Sequence, residues 1–284
     1  MTVTPRKILV ALDLEGRAHG AAHFATRLAA RFGARLDAVH VASALKRPTL
    51  TPFAMPDDQT EEHFARALSQ LPEVDREAVK FHRLTGSPVE RLTDLVSSES
   101  YELLVLGAPS EGLRHRILGG TTRDVLHQTT VPVLICQGEV APDATTRIVV
   151  AIDQGATSAQ VFPVAVSWAK VLGAKLECLF VFEPPSFAYD PASAVGASTI
   201  DHLRDAEFQL FRDFLARQDL RGVPHEVFTE EGQPAEVIRA HCDRSPSILV
   251  MGTHGRTGLK RLLMGSVAEA VLAQTKAPVL LLRS

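Results

Sequence analysis

Two apolar runs with matching ends, Lys7-Ile-Leu-Val-Ala-Leu-Asp13 and Arg147-Ile-Val-Val-Ala-Ile-Asp153, open the two halves of this 284-residue chain. A short continuous apolar run is typical of a strand buried on both faces of a parallel sheet. After the first run, Phe24, Leu28 and Phe32 recur at helical spacing. The pattern therefore predicts that each half begins with a buried strand followed by a helix that packs on it.

Three further pairs of segments match in the same order along the two halves. They are Gly33-Ala-Arg-Leu-Asp37 with Gly173-Ala-Lys-Leu-Glu177, Gly86-Ser-Pro-Val-Glu90 with Gly232-Gln-Pro-Ala-Glu236, and Val131-Pro-Val-Leu-Ile135 with Ala277-Pro-Val-Leu-Leu281. The period is far too long for a solenoid. We expect two homologous domains, residues 1–140 and 145–284, joined by a polar stretch around Pro142.

Each half alternates strands and helices and has five predicted strands. This alternation predicts an α/β fold of two tandem, doubly wound domains, each with a five-stranded parallel sheet and helices on both faces. In such sheets ligands bind beyond the carboxyl ends of the strands, where the strand order switches. If the first and fourth strands of the second half are neighbours, Asp153 and Gly252 face one crevice.

A glycine-rich segment follows that fourth strand: Gly252-Thr-His-Gly-Arg-Thr-Gly-Leu-Lys-Arg-Leu-Leu-Met-Gly-Ser266. Glycines let backbone approach a ligand closely, and the predicted helix after them begins with unpaired N–H groups that attract anions. Arg256 adds positive charge nearby. The segment therefore predicts a phosphate-binding turn.

Two local patterns leave alternatives open. Ser266 and Glu269 fit a capping box, in which Ser266 would cap its own helix and its hydroxyl would not serve a ligand. Ser158 fits an N-cap, but Pro163 would then interrupt the helix, so that helix either starts near Phe162 or is kinked.

The glycine spacing, the strand that ends at Asp153 and the repeated closing segment together resemble the universal stress protein family over nearly the whole chain. The resemblance implies an adenine nucleotide, ATP with or without Mg²⁺, bound in the second domain. It places Ala151 and Asp153 by the ribose and adenine, and the backbone of Val181 at the adenine. The phosphates would be held by Gly252, Gly255, Arg256, Gly265, Ser266 and the N–H of Val267.

The first half departs from this pattern. Gly107 and Gly119 remain, but Pro109 lacks an N–H, Glu111 adds negative charge, and Gly120 stands in the place of Ser266. We expect the first domain to bind ATP weakly or not at all, and to serve structure or pairing.

Composition excludes several other classes of function. A net charge of −3 argues against nucleic-acid binding. Three dispersed cysteines argue for reduced thiols, with neither a disulfide framework nor a metal site. No apolar run is long enough for a membrane span, and the N-terminus has no signal-peptide pattern, so we expect a cytoplasmic protein.

No P-loop, nucleophile elbow or other catalytic set is visible, so we expect no catalytic residues. The sequence favours an ATP-binding regulatory protein without fast turnover, either a homodimer or an intrachain pseudo-dimer. The alternatives are a nucleotide-independent scaffold and a slow ATP hydrolase.

Overall fold

A computed structural model describes residues 4–12, 19–42, 79–107, 120–137, 147–186, 197–253 and 264–283. In the first half, the strands are β1 Lys7–Ala11, β2 Arg35–Ala42, β3 Phe81–Thr85, β4 Leu103–Gly107 and β5 Val133–Cys136. The helices described there are α1 His19–Phe32, α2 Pro88–Ser98 and α3 Gly120–Gln128.

The second half repeats this order. Its strands are β6 Arg147–Ala151, β7 Lys175–Phe182, β8 His225–Glu231, β9 Ser247–Gly252 and β10 Val279–Leu282. Its helices are α4 Ser158–Leu172, α5 Ala197–Ala216, α6 Pro234–Cys242 and α7 Ser266–Gln274. None of the helices within the described ranges is both long and apolar enough to cross a membrane.

All the strands join one ten-stranded sheet in the order β3-β2-β1-β4-β5-β10-β9-β6-β7-β8. Within each half the strands are parallel, and the order switches between the first and second strands on one side and the fourth and fifth on the other. The two tandem doubly wound domains predicted from the alternation of strands and helices are confirmed.

The two halves meet through β5 and β10, which pair in the antiparallel direction with Leu134 opposite Leu280. The fifth strand of each domain is therefore used to pair the domains within one chain. Antiparallel pairing of equivalent strands relates the two halves by an approximate two-fold axis.

Alternate strand residues feed two cores, as the two-residue period of a strand requires. Ile8 and Val150 point to the face covered by α1, α4 and α5, whereas Leu9 and Val149 point to the face covered by α2, α3, α6 and α7. Trp168 is 1% exposed and meets Phe32 of the other half edge to face at 5.0 Å. Each core therefore extends across both domains.

Two helix ends have identifiable causes. Gly33 adopts a φ of 62° directly after α1 and forms its C-terminal cap, and Gly173 repeats this with 64° after α4. Of the two alternatives for the start of α4, the later start near Phe162 is wrong. Helix α4 begins at Ser158, Thr157 is its N-cap, and Pro163 lies inside the helix.

Candidate functional site

A cavity of about 520 Å³ opens beyond the carboxyl ends of β6, β7 and β9. Strand β6 pairs directly with β9, with Ile148 opposite Ile248, which confirms that the first and fourth strands of this half are neighbours. Asp153 and Gly252 consequently line the same cavity, at the switch in strand order.

Every predicted site residue that the structure describes borders this cavity. They are Ala151, Asp153, Val181, Gly252, Gly265, Ser266 and Val267. Gly255 and Arg256, the other two predicted residues, lie outside the described residues, as do Asp13, Pro109 and Glu111 of the first half. The cavity thus unites positions that are more than a hundred residues apart in the chain.

The carboxylate of Asp153 orders the turn that leads into α4. Its Oδ1 accepts hydrogen bonds from the Gly155 N–H at 2.9 Å and from the Ser158 hydroxyl at 2.8 Å. The residue type of Ser158 predicted an N-cap, but Thr157 occupies that position. The Ser158 hydroxyl instead holds Asp153 at the cavity wall.

The register of β6 and β7 directs the peptide groups of Val181 toward the cavity. Leu179 lies opposite Ala151, the last residue of β6, and its carbonyl accepts a bond from the Ile152 N–H at 2.9 Å. Peptide groups alternate in direction along a strand, so those of Val181 point the same way as those of Leu179. They face the space beyond the end of β6.

The other side of the cavity is formed by the start of α7. The Gly265 N–H donates to the Thr253 carbonyl at 2.8 Å, and the Thr253 N–H donates to the Leu282 carbonyl at 2.9 Å. These bonds bring the chain back to the end of β9 immediately before the helix begins. The first N–H groups of α7 lack intrahelical acceptors, and Ser266, Val267 and Ala268 line the cavity.

The capping box predicted for Ser266 and Glu269 is not formed. Gly265 is the N-cap, with φ −62° and ψ 146°, and Ser266 is the first helical residue. The Glu269 carboxylate lies 3.3 Å from Nε of Arg123, a residue of the first domain. Ser266 therefore does not cap α7, and it lines the cavity as the first residue of the helix.

The cavity also has lining residues that the sequence did not suggest. They include Glu183, Pro185, Leu203, Glu207, Pro234 and Ile238. Further apolar residues of the surrounding strands and helices complete the lining. Leu203 and Glu207 lie one turn apart on α5, and the Gln154 side-chain amide donates to the Glu207 carbonyl at 2.9 Å. A signal for Pro234 existed in the repeated Gly-x-Pro segment, but nothing local places α5 over the end of β7.

The described lining includes three carboxylates, those of Asp153, Glu183 and Glu207, and no lysine or arginine. The basic residues that the sequence associates with this site, Arg256, Lys260 and Arg261, belong to the segment outside the described residues. The described lining therefore supplies backbone N–H groups, serine and threonine hydroxyls, three carboxylates and apolar walls.

The cysteines are free and buried, as expected of small core residues. Burial raises the pKa of Cys178 to about 12, and it raises the pKa of Cys136 still further. Neither thiol forms a thiolate at neutral pH, so neither offers a nucleophile.

Comparison with known proteins gives one consistent result. The universal stress protein family model matches residues 4–137 and again residues 144–283. A universal stress protein of Mycobacterium tuberculosis is 26% identical over 211 residues, which are 72% of this chain and 69% of the relative. One from Methanocaldococcus jannaschii is 28% identical over 138 residues, 48% of this chain and 81% of the relative. Among solved structures, a universal stress protein from Archaeoglobus fulgidus shares the fold, with a TM-score of 0.67, 21% identity and 98% of each chain covered.

Proposed function

The chain belongs to the universal stress protein family, and we propose that it is an ATP-binding regulatory protein of the stress response, with its nucleotide site in the second domain. The observation that supports this most directly is that one cavity at the switch point gathers predicted residues from β6, β7, β9 and α7. Its volume of about 520 Å³ falls in the range of small-ligand sites.

The start of α7 would hold the phosphates. Gly265 and Ser266 present backbone and hydroxyl to the cavity, and the helix dipole adds a modest attraction for anions. Arg256, Lys260 and Arg261 lie within the same glycine-rich segment of the sequence. Together these groups provide the donors and the positive charge that a triphosphate requires.

The opposite end of the cavity suits a nucleoside. Asp153 would accept hydrogen bonds from ribose hydroxyls, and the peptide groups of Val181 would pair with the edge of an adenine ring. Apolar side chains such as Leu179, Met251 and Ile238 would contact the ring faces. Any Mg²⁺ carried by ATP would be ligated mainly by phosphate oxygens and water, as is usual for this ion.

The two alternatives to ATP binding without turnover are a slow ATP hydrolase and a nucleotide-independent scaffold. A slow ATP hydrolase needs a base that activates water, and among the described residues only carboxylates could serve. Oδ1 of Asp153 already accepts two hydrogen bonds that hold the turn before α4, which gives this carboxylate a structural role. A nucleotide-independent scaffold would not need a glycine-rich segment whose two ends, Gly252 and Gly265, line a cavity. Both observations favour binding over the alternatives.

The proposal is tested by counting nucleotides. We expect the purified protein to bind one ATP per chain, measured by calorimetry and by mass spectrometry of the nucleotide released on denaturation. Two equal sites would refute the asymmetry between the domains. No binding at millimolar ATP would refute the proposal and favour the scaffold.

A matched pair of substitutions locates the site. Gly265→Val should abolish ATP binding because the side chain blocks the approach of phosphate to the backbone, whereas the φ of −62° at this residue accepts valine without strain. Gly119→Val, at the equivalent position of the first half, should leave binding unchanged. Circular dichroism and thermal unfolding check that both variants fold, and survival of binding in Gly265→Val would place the site elsewhere.

A further inference from the structure

A residue just after the fifth strand of each domain bonds to a helix of the other domain, so two equivalent contacts are related by the pseudo-two-fold axis. Gln137 and Arg283 occupy equivalent positions, because each stands two residues after a matched closing segment, at Ile135 and Leu281. The Gln137 side-chain amide donates to the Leu272 carbonyl of α7 at 2.5 Å. The Arg283 guanidinium donates to the His127 carbonyl of α3. Each domain thus holds the final turn of the other domain's helix.

The helix held by Gln137 is the one that begins at the candidate phosphate site. Helix α7 has only nine residues, so its final turn and its N-terminus are about two turns apart. The last carbonyls of a helix lack intrahelical donors, and Leu272 is one of these acceptors. Gln137 is 8% exposed, so the bond lies in the protein interior, where water does not replace it readily.

A second contact at the same interface joins equivalent positions with opposite charge. Arg123 lies three residues after Gly120, the first residue of α3, and Glu269 lies three residues after Ser266, the first residue of α7. Their side chains approach to 3.3 Å. Identical domains paired in this way would place like charges together, so the arginine and glutamate favour pairing of the first domain with the second. Glu269 is also in the first turn of α7, one turn from the cavity.

We propose that the first domain is part of the second domain's nucleotide site, with Gln137 as a positioning residue that fixes α7 against the end of β9. This inference rests on the proposed function. A contact from outside the second domain sets the direction in which the α7 N–H groups point. The first domain thereby contributes to ATP affinity without touching the nucleotide.

The alternative is that Gln137 merely joins the two domains, in which case its removal would affect stability alone. The chain contains the control that separates these roles. Arg283 makes the equivalent bond to α3, whose glycine-rich segment has lost the features of a phosphate site. Substituting either residue removes one bond from the same interface, but only Gln137 holds the helix of the nucleotide site.

The test compares Gln137→Leu and Arg283→Leu in the full chain, with ATP as the titrant in calorimetry and thermal unfolding in parallel. Both substitutions should lower thermal stability. Gln137→Leu should weaken ATP binding by about 3- to 30-fold, the range expected for a residue that couples to a site it does not contact. Arg283→Leu should leave ATP affinity within about twofold of the unaltered chain.

If Gln137→Leu does not fold, Gln137→Asn, whose amide is one methylene shorter, replaces it in the same comparison and should show the same loss of affinity.

The outcomes are separable. If the unaltered chain does not bind ATP, the proposed function fails, and this inference fails with it. If the unaltered chain binds ATP but Gln137→Leu binds equally well, or both leucine variants weaken binding equally, the positioning role is overturned while the proposed function stands.

Discussion

The two domains bury a carboxylate at the same position of their second strand, yet they neutralise it with different partners. Asp37 on β2 and Glu177 on β7 end the matched segments that begin at Gly33 and Gly173. Asp37 is fully buried, and Glu177 is 5% exposed. A buried carboxylate is costly unless it is paired or hydrogen-bonded, so each domain must supply partners.

In the first domain, the partners of Asp37 are a tyrosine hydroxyl, an arginine guanidinium and a backbone N–H, which keep their protons at neutral pH. The Tyr101 hydroxyl donates to Oδ2 at 2.8 Å, and Nε of Arg35 and the Lys80 N–H donate to Oδ1 at 3.0 and 3.2 Å. Burial and the bond to Asp37 raise the pKa of Tyr101 above its usual value. His82 lies 2.9 Å from the tyrosine oxygen, and burial lowers the pKa of His82.

In the second domain, Glu177 belongs to a network of charges. Arg147 donates to both carboxylate oxygens, at 2.8 and 2.5 Å, and Nε2 of His241 lies 2.8 Å from Oε2. Nδ1 of the same ring lies 3.0 Å from Glu230 on β8. Each ring nitrogen of His241 therefore faces one glutamate, and the imidazole bridges the two carboxylates.

The difference concerns which element the network holds. Tyr101 lies two residues before β4, and Arg35 and Lys80 lie at the start of β2 and just before β3, so the first network joins strands. His241 lies on α6, so the second network attaches that helix to β7 and β8. Helix α6 carries Pro234 and Ile238 at the cavity, whereas none of these three partners of Asp37 lies on α2, the counterpart of α6. The domain with the intact glycine-rich segment thus has a charged clamp on a helix that lines its cavity.

The largest effect is expected from removing that clamp. His241→Leu removes the imidazole that the buried Glu177 shares with the half-buried Glu230, and it should lower the free energy of unfolding by about 3–5 kcal/mol. Urea denaturation followed by circular dichroism measures this. A loss below about 1 kcal/mol would show that Arg147 alone satisfies Glu177.

Acid pH should remove part of the same stabilisation. Burial raises the pKa of Glu177, but the hydrogen bonds from Arg147 and His241 outweigh it, so the pKa is lowered in the folded state from an ordinary value of 4.5. A carboxyl with a lowered folded pKa stabilises the fold fully above its unfolded pKa and loses this contribution as pH falls through the folded pKa. The stability gap between the unaltered chain and Glu177→Gln, measured in urea, should therefore be constant above about pH 4.5 and narrow below it. A gap that widens on acidification would contradict this sign.

Tyr101→Phe should have a smaller effect because it deletes one hydroxyl and leaves Arg35 and the Lys80 N–H on Asp37. We expect a loss of about 1.5–3 kcal/mol, the usual value for a hydrogen bond to a charged group. The same urea measurement applies. If this loss equals or exceeds that of His241→Leu, the two networks do not differ in the way described.

The smallest expected differences concern the glycines before α2 and α6. Gly86 and Gly232 have φ values of 132° and 144°, which side chains rarely adopt, so alanine at either should cost about 1–2 kcal/mol. A Cβ at residue 232 would lie 3.0 Å from Cγ2 of Val237, whereas one at residue 86 would meet only the flexible Arg91 side chain at 3.2 Å. Thermal unfolding should therefore show a larger loss for Gly232→Ala, and the reverse order would mean that Val237 moves aside.

Much of the fold was predictable because its signals are local and repeated. The apolar runs that end at Asp13 and Asp153 predicted buried parallel strands. The alternation of strands and helices predicted a doubly wound sheet, in which Asp153 and Gly252 face one crevice if the first and fourth strands are neighbours, as they are in the structure. The residues predicted around the cavity follow from that order. The local patterns at two helix starts were misleading because a side chain there contacts a residue outside the helix. Ser158 was predicted to cap α4 but its hydroxyl donates to Asp153, and Glu269 was predicted to complete a capping box but lies against Arg123 of the other domain.

The sequence by itself determined the alternation and order of strands and helices in the two halves, and it indicated a segment suited to phosphate, because backbone periodicity and glycine positions act over a few residues. Only the tertiary structure decided that β5 and β10 pair within one chain, that His241 bridges Glu177 and Glu230, and that Gln137 reaches α7. Gln137 and its partner Leu272 are 135 residues apart in the chain, and His241 and Glu177 are 64 residues apart. Hydrogen bonds and ion pairs are short-range in space but indifferent to distance along the chain, so only the folded arrangement selects them.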